Sequence, residues 1–244
     1  MPLLQVDSVT VEFGGLTALS EVDLDVDAGR ITGLIGPNGA GKTTMFNVIC
    51  GLQPTTHGRA TYDGKDMSGY KPHERARLGI ARTFQRLEVF GSLSARENIL
   101  VAAEIRSKWS DEDFSPRAVT DEILERMELS RVADHRVDTM PTGLARLVEL
   151  GRAMAAAPKL LLLDEPSSGL GDEETVFFAR ILRELTSEGL GILMVEHDVE
   201  LVMDICERIH VLDFGRKIAA GTPAEIRADE AVQAAYLGAA GDAA

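Results

Sequence analysis

The sequence predicts an α/β fold. It has a mainly parallel sheet with ligand sites at the carboxyl ends of its strands, an N-terminal antiparallel β part and an inserted α-helical subdomain. Three observations predict it. The first third of the chain reads as strands separated by turn signals. A Gly-rich loop joins a buried strand to a helix. After Pro158, short apolar runs alternate with amphipathic helical segments, the pattern of parallel βα units.

The elements follow in order. LLQVDSVTVEF and EVDLDVDAG alternate apolar and polar residues, as half-buried strands do, and the second ends in a turn. RITGLIG is a more continuous apolar run, expected of a strand buried on both faces. TTMFNVICGL reads as a helix, and YDG at 62–64 marks a hairpin-like turn. From about Ser94 to Arg152 the period becomes helical, in ARENILVAAEIRSKW and TDEILERMEL, with SDEDFSP as a polar loop between them. KLLLLDE, a helix over ETVFFARILREL, LGILMVEHD, a short helix and RIHVLDFG resume the β/α alternation. PAEIRADEAVQAAYLG reads as a helical tail whose small-residue end, AAGDAA, is expected to fray.

Composition excludes several classes. The chain of 244 residues carries 25 Lys plus Arg against 39 Asp plus Glu, a net charge of -14. Nucleic acid and anionic lipid are polyanions, so neither is an expected partner. Cys50 and Cys206 have no Cys or His at metal-ligand spacing, and two such thiols fit a reducing compartment. MPLLQVDSVT has neither the basic region nor the apolar core of a signal peptide. LLLL at 160–163 is far too short to cross a bilayer. A soluble, cytoplasmic chain is expected, with any membrane role running through partner subunits and no lipid insertion of its own.

Residues 36–44 read GPNGAGKTT, a full match to the phosphate-loop pattern, with a strand before it and a helix after it. Gly36, Gly39 and Gly41 let the backbone fold so that successive N–H groups of Gly36, Pro37, Asn38, Gly39, Ala40 and Gly41 (proline excepted) make an anion nest. The following helix adds the positive end of its dipole. Lys42 is placed for the β- and γ-phosphates, Thr43 offers a hydroxyl to Mg²⁺, and Thr44 meets the α-phosphate. A P-loop NTPase core follows, and the absence of an Asn-Lys-x-Asp segment speaks against guanine recognition.

Residues 160–165, LLLLDE, end a buried strand in two carboxylates. Asp164 is placed to hold the Mg²⁺ shell through water, and Glu165 to polarise the attacking water as general base.

With these elements in this order the chain resembles the ATP-binding subunits of ABC transporters over nearly its whole length. The resemblance implies roles for further residues. Phe13 stands where the family has an aromatic that stacks on adenine. Gln85, in RTFQ, matches the glutamine that contacts Mg²⁺ and water and senses the membrane subunits. His197, in MVEHD, matches a switch histidine that hydrogen-bonds the γ-phosphate, and SSGLGD at 167–172 matches a loop crossing the dimer interface. The segment 140–153 occupies the place of the family's signature, but LSGGQ is replaced by Met140, Pro141, Thr142, Gly143 and Leu144, with only Gly143 kept. Pro141, Thr142 and Gly143 would face the ATP of a partner subunit. Arg146, Glu149 and Arg152 keep the expected helical positions, and His57, His73, His135 and His210 match nothing and are read as structural.

The resemblance is closest to the branched-chain amino acid importer branch, on RTFQ, ARENILVA at 95–102, IAAGTPAEIRAD at 218–229 and AYLG at 235–238, stretches shared with urea and amide importers. It implies one ATP-binding domain: a nucleotide-binding core from 1–90 and 154–225, a helical subdomain over about 91–153, and a C-terminal helix and tail at 226–244. It implies ATP and Mg²⁺, a second ATP-binding subunit (the same chain or a sister), and membrane permease subunits that hold the chain on the inner face of the membrane. A non-transport ABC ATPase of translation or DNA repair is the competing class. Those carry two such domains or long insertions, which 244 residues do not accommodate. A regulatory subunit with a dead site is opposed by intact Lys42, Asp164, Glu165 and His197.

Overall fold

The computed structural model describes residues 1–241. Strands β1 (Leu4–Phe13), β2 (Leu16–Val26), β4 (His57–Tyr62) and β5 (Lys65–Asp66) form an antiparallel sheet in the order β2-β1-β4-β5. A second sheet has the order β10-β9-β3-β8-β7-β6. Its members are β3 (Ile31–Ile35), β6 (Ile80–Arg82), β7 (Leu160–Asp164), β8 (Gly191–Val195), β9 (Arg208–Asp213) and β10 (Arg216–Gly221). All neighbouring pairs in it are parallel except β9 with β10. This is the predicted α/β architecture, with the antiparallel part at the N-terminus.

The parallel sheet is covered on both faces, which is why its strands are apolar throughout. Alternate residues of β7 divide between two cores. Leu160 and Leu162 pack with β1, β2 and helix α1 (Lys42–Cys50), through Met45 and Phe46. Leu161 and Leu163 pack with helices α3 (Ala95–Ser107), α4 (Pro116–Arg126), α5 (Thr142–Met154) and α6 (Asp172–Ser187). The helical stretch therefore shares its core with one face of the sheet. Asp164, next in the alternation, turns toward α1.

Local chemistry sets the helix ends. Ser94 accepts from the Glu97 N–H at 3.2 Å and Glu97 reaches back to the Ser94 N–H at 2.8 Å, a capping box that starts α3. Asp198 caps α7 (Val199–Ile205) through the Leu201 N–H at 3.0 Å. The tail read as one helix is two, α8 (Pro223–Ala228) and α9 (Glu230–Gly241). Asp229 stays extended and caps the second with its carboxylate, accepting from the Ala231 and Val232 N–H groups at 2.9 and 3.1 Å. Of AAGDAA at 239–244, expected to fray, 239–241 end α9 and 242–244 lie outside the described residues. Helix α2 (Pro72–Arg77), β6 and β10 have no counterpart in the sequence reading: α2 and β6 are too short to show a period, and β10, RKIAAG, is largely exposed and carries neither an apolar run nor an alternation.

Candidate nucleotide site

The Gly-rich loop leaves the carboxyl end of β3, between β8 and β9. At Gly36, with φ +152, a Cβ would lie 2.1 Å from the Leu212 carbonyl oxygen of β9, so only glycine fits. Gly41 caps α1 at φ +102, where a Cβ would meet Leu19 at 2.7 Å. The chain then enters α1, whose first turn points unpaired N–H groups out of its end. Buried Lys42 folds back over the loop and donates to the carbonyl oxygens of Gly36 at 2.7 Å and Pro37 at 3.0 Å. Burial pulls its pKa down, against the raising effect of the Glu165 and Asp164 carboxylates.

The segment from Asn38 through Gly39, Ala40, Gly41, Lys42, Thr43 and Thr44 lines a cleft of about 520 Å³. Such a volume falls within the roughly 300–1,000 Å³ of small-molecule sites. Gln85, Asp164, Glu165 and His197 form its other wall. Gly36 and Pro37, the first residues of the loop, do not line the cleft, and their carbonyl oxygens accept from Lys42. Leu16, Thr17, Ala18, Phe214 and Gly215 also line the cleft, and the sequence reading did not single them out. Phe13 is not in this wall. The Gly14–Gly15 turn sets it across from Leu16 at the end of β1, where it is 48% exposed. Among the described residues the aromatic on the wall is Phe214, 87% exposed.

Glu165 follows β7 with φ +50, a left-handed conformation that costs a side-chain-bearing residue about 1–3 kcal/mol. Its own N–H donates to the Val195 carbonyl at 2.8 Å, which helps hold the turn. Both carboxylate oxygens are engaged: Oε1 lies 2.9 Å from His197 Nε2, and Oε2 accepts from Gln85 Nε2 at 2.9 Å. Buried Glu196 accepts from the N–H of Ser167 at 2.7 Å and of His197 at 3.0 Å, tying the 167–172 loop to the histidine. Asp164 is bonded at 2.7 Å by Arg82, whose side chain is buried.

The segment around Gln85 is held from α5. Arg146 donates to the carbonyls of Phe84 at 3.2 Å and Gln85 at 2.8 Å, and Glu149 accepts from the Glu88 N–H at 3.1 Å. Arg82, Arg146, Glu149 and Glu196 hold the site from behind. The first three were visible only as charged residues inside RTFQ and at i, i+3 on a helix, and Glu196 as the neighbour of His197.

The family model described as ABC transporter matches residues 19–168, a span that includes the loop, Gln85, Asp164 and Glu165. The chain belongs to the ABC transporter family. A second model, described as branched-chain amino acid ATP-binding cassette transporter, matches residues 216–242. Two curated relatives resemble the chain to a similar degree. The lipopolysaccharide export system ATP-binding protein LptB of Haemophilus influenzae is 36% identical, over 98% of this chain and 98% of that protein. The high-affinity branched-chain amino acid transport ATP-binding protein BraF of Pseudomonas aeruginosa is 37% identical, over 97% of this chain and 98% of that protein. Among solved structures, the ADP conformation of MJ1267, an ATP-binding cassette of an ABC transporter, superposes with a TM-score of 0.87 at 29% identity, covering 98% of this chain and 99% of that one. Cassettes of the ABC family hydrolyse ATP to power transport, and this chain is an ATPase subunit of that kind.

The segment aligned with the ABC signature lies apart from the cleft. Pro141, with φ -55 and ψ 151, flanks α5 as its cap, one position earlier than the first turn that proline suits. Thr142 and Gly143 open the helix. Gly143 sits under α6: a Cβ there would lie 2.2 Å from Glu174 Oε1. None of the three lines the wall formed by Lys42 and Glu165.

The donor set of the cleft suits Mg²⁺. Among the described residues no group of three or more His, Cys, Asp or Glu side chains would hold a metal alone. The Thr43 hydroxyl, the Asp164 carboxylate and the Gln85 amide offer a few hard oxygen ligands beside a phosphate loop, the environment Mg²⁺ takes with nucleotide phosphates.

Proposed function

We propose that this chain binds ATP in the cleft around Lys42 and drives an importer for branched-chain or related amino acids. The observation that carries the ATP site is the convergence on one cleft of the phosphate loop with Glu165, His197 and Gln85, already in hydrogen-bonding contact.

In this reading the loop N–H groups and the α1 dipole take the phosphates. Lys42 exchanges the Gly36 and Pro37 carbonyls for β- and γ-phosphate oxygens, and Thr44 meets the α-phosphate. Thr43 and Asp164, with Gln85, hold Mg²⁺, which neutralises phosphate charge when bound. Glu165 polarises the attacking water as general base. His197 leaves Glu165 for the γ-phosphate, and Gln85 leaves it for metal and water. Phe13 stacks on adenine from the exposed end of β1. Pro141, Thr142 and Gly143 meet the ATP of a second subunit. The core at 1–90 and 154–225, the helices at about 91–153 and the tail at 226–244 then act as one cassette. It sits on the cytoplasmic face of the membrane, bound to permease subunits. No helix of the described residues is long and apolar enough to cross a membrane. ABC ATPases work as dimers with permease partners, and cassettes of the family are dimeric in solved structures.

The branched-chain assignment is supported by the match over 216–242 and by BraF. A lipopolysaccharide exporter is the second reading, favoured by the equal similarity of LptB. Reconstitution with the permeases that co-purify with the chain separates them. Amino acid import requires ATPase stimulation and leucine uptake that depend on a loaded external binding protein. Stimulation without a binding protein, together with extraction of a glycolipid, would assign export instead.

A further inference from the structure

Arg82 touches more parts of the site than any role assigned above explains. It ends β6, whose register sets it opposite Leu162, two residues before Asp164. Its guanidinium forks. One nitrogen donates to Asp164 Oδ2 at 2.7 Å, and the other to Asn47 Oδ1, on α1, at 2.8 Å. The ion pair is buried, with side-chain exposures of 8% for Arg82 and 9% for Asp164. The same group stands 5.3 Å over the Phe46 ring and 4.8 Å over the Phe84 ring. Phe84 immediately precedes Gln85, so one side chain joins the acidic end of β7, the helix after the phosphate loop and the segment that carries the glutamine.

We propose that Arg82 is a positioning residue for the divalent cation: it holds the Asp164 carboxylate in one orientation and thereby sets the Mg²⁺ requirement of nucleotide binding. This rests on the reading of Asp164 as a metal-holding group. The physical case is geometric. Commitment of Oδ2 to Arg82 leaves Oδ1 as the oxygen presented to the cleft. A short buried carboxylate without that bond is free to rotate. A guanidinium is required because its planar fork meets acceptors on two different elements at once, which a lysine ammonium does not reproduce. Groups that orient a ligating side chain change metal affinity by about 10–100-fold when removed.

The test is equilibrium binding of a fluorescent ATP analogue to the full chain, first in EDTA and then along a MgCl₂ titration. Four proteins are compared with the parent: Arg82→Met, Arg82→Lys, Asp164→Asn and the double variant Arg82→Met with Asp164→Asn. The expected result is an EDTA affinity close to that of the parent in all of them. The Mg²⁺ concentration at half-effect should rise at least about tenfold in Arg82→Met, with partial recovery in Arg82→Lys. Arg82→Met should add nothing once Asp164 is Asn, because the two act through each other. Thermal melts report folding. If Arg82→Met does not fold, Arg82→Lys alone carries the comparison, since it keeps the charge and loses the fork. A shift in Asp164→Asn with parent-like Mg²⁺ dependence in both Arg82 variants overturns the inference and leaves the metal reading standing. No shift in Asp164→Asn overturns both.

Discussion

His197 Nε2 and Glu165 Oε1 lie 2.9 Å apart, so the residue read as the phosphate switch holds the residue read as the base. Gln85 holds the other carboxylate oxygen at 2.9 Å. In the proposed site a γ-phosphate would compete with Glu165 for His197, and Mg²⁺ and water would compete with it for Gln85. On the proposed roles, nucleotide binding and release of the base would be one exchange of hydrogen bonds.

Glu165→Gln keeps the shape and removes the base. ATP binding should persist, hydrolysis should fall by roughly 10²–10⁴-fold, and an ATP-bound dimer should last longer. Steady-state ATPase assays and gel filtration with ATP check this. Hydrolysis at the parent rate would remove Glu165 from that role.

Lys42→Ala takes the only side-chain cation from the cleft wall among the described residues. The loss of a charge-assisted bond to phosphate should weaken ATP binding by on the order of 2–4 kcal/mol. Calorimetry reads this directly, and unchanged affinity would unseat the loop assignment.

Gly143→Asp places an anion at the start of α5, where even a Cβ overlaps Glu174. Partner-stimulated ATPase activity should vanish while the isolated chain still binds ATP, because Gly143 does not line the cleft. Pro141 brings neither a hydroxyl nor an N–H to this point, so the isolated parent should hydrolyse slowly and dimerise weakly. The measurement is ATPase rate against protein concentration, with and without permeases. Fast hydrolysis with tight self-association in the isolated parent would show that those donors are dispensable.

Arg146→Met strands Glu149. Their 3.1 Å pair is buried, at 6% and 3% side-chain exposure, and Arg146 also serves the Phe84 and Gln85 carbonyls. The expected loss of stability is about 3–5 kcal/mol. Denaturant unfolding measures it, and a change below about 1 kcal/mol would mean that α5 does not secure this segment.

His210 is fully enclosed on β9, with Nε2 3.2 Å from the Asp25 carbonyl oxygen. Burial pushes its pKa down from 6.5 to about 4, with Arg208 also lowering it and Asp25 opposing. Between those values the unfolded chain binds the proton and the folded chain does not, so stability rises with pH across that window. Acidification from pH 6.5 to 4 therefore removes stability, by on the order of 3 kcal/mol from this group. His210→Gln should flatten the stability profile over that range relative to the parent. Superimposable profile shapes would show that His210 does not contribute.

The sequence by itself determined the elements whose signal is local. The phosphate loop, the run LLLL before Asp164 and Glu165, and the helical period that begins at about Ser94 each depend on residues within a few positions of one another. Backbone geometry turns such patterns into structure without help from distant segments. The alternation of apolar runs with helices likewise sufficed for the α/β class. Tertiary structure decided what depends on distance. It joined Glu165 to His197 and Gln85, Arg82 to Asp164 and Asn47, and Arg146 to the backbone of 84–85, across separations of 32 to 82 residues. It also broke the tail at Asp229 and set Phe214, rather than Phe13, on the cleft wall. Hydrogen bonds between side chains leave no periodicity in a sequence, because their geometry is set only when strands and helices from distant parts of the chain pack into one core.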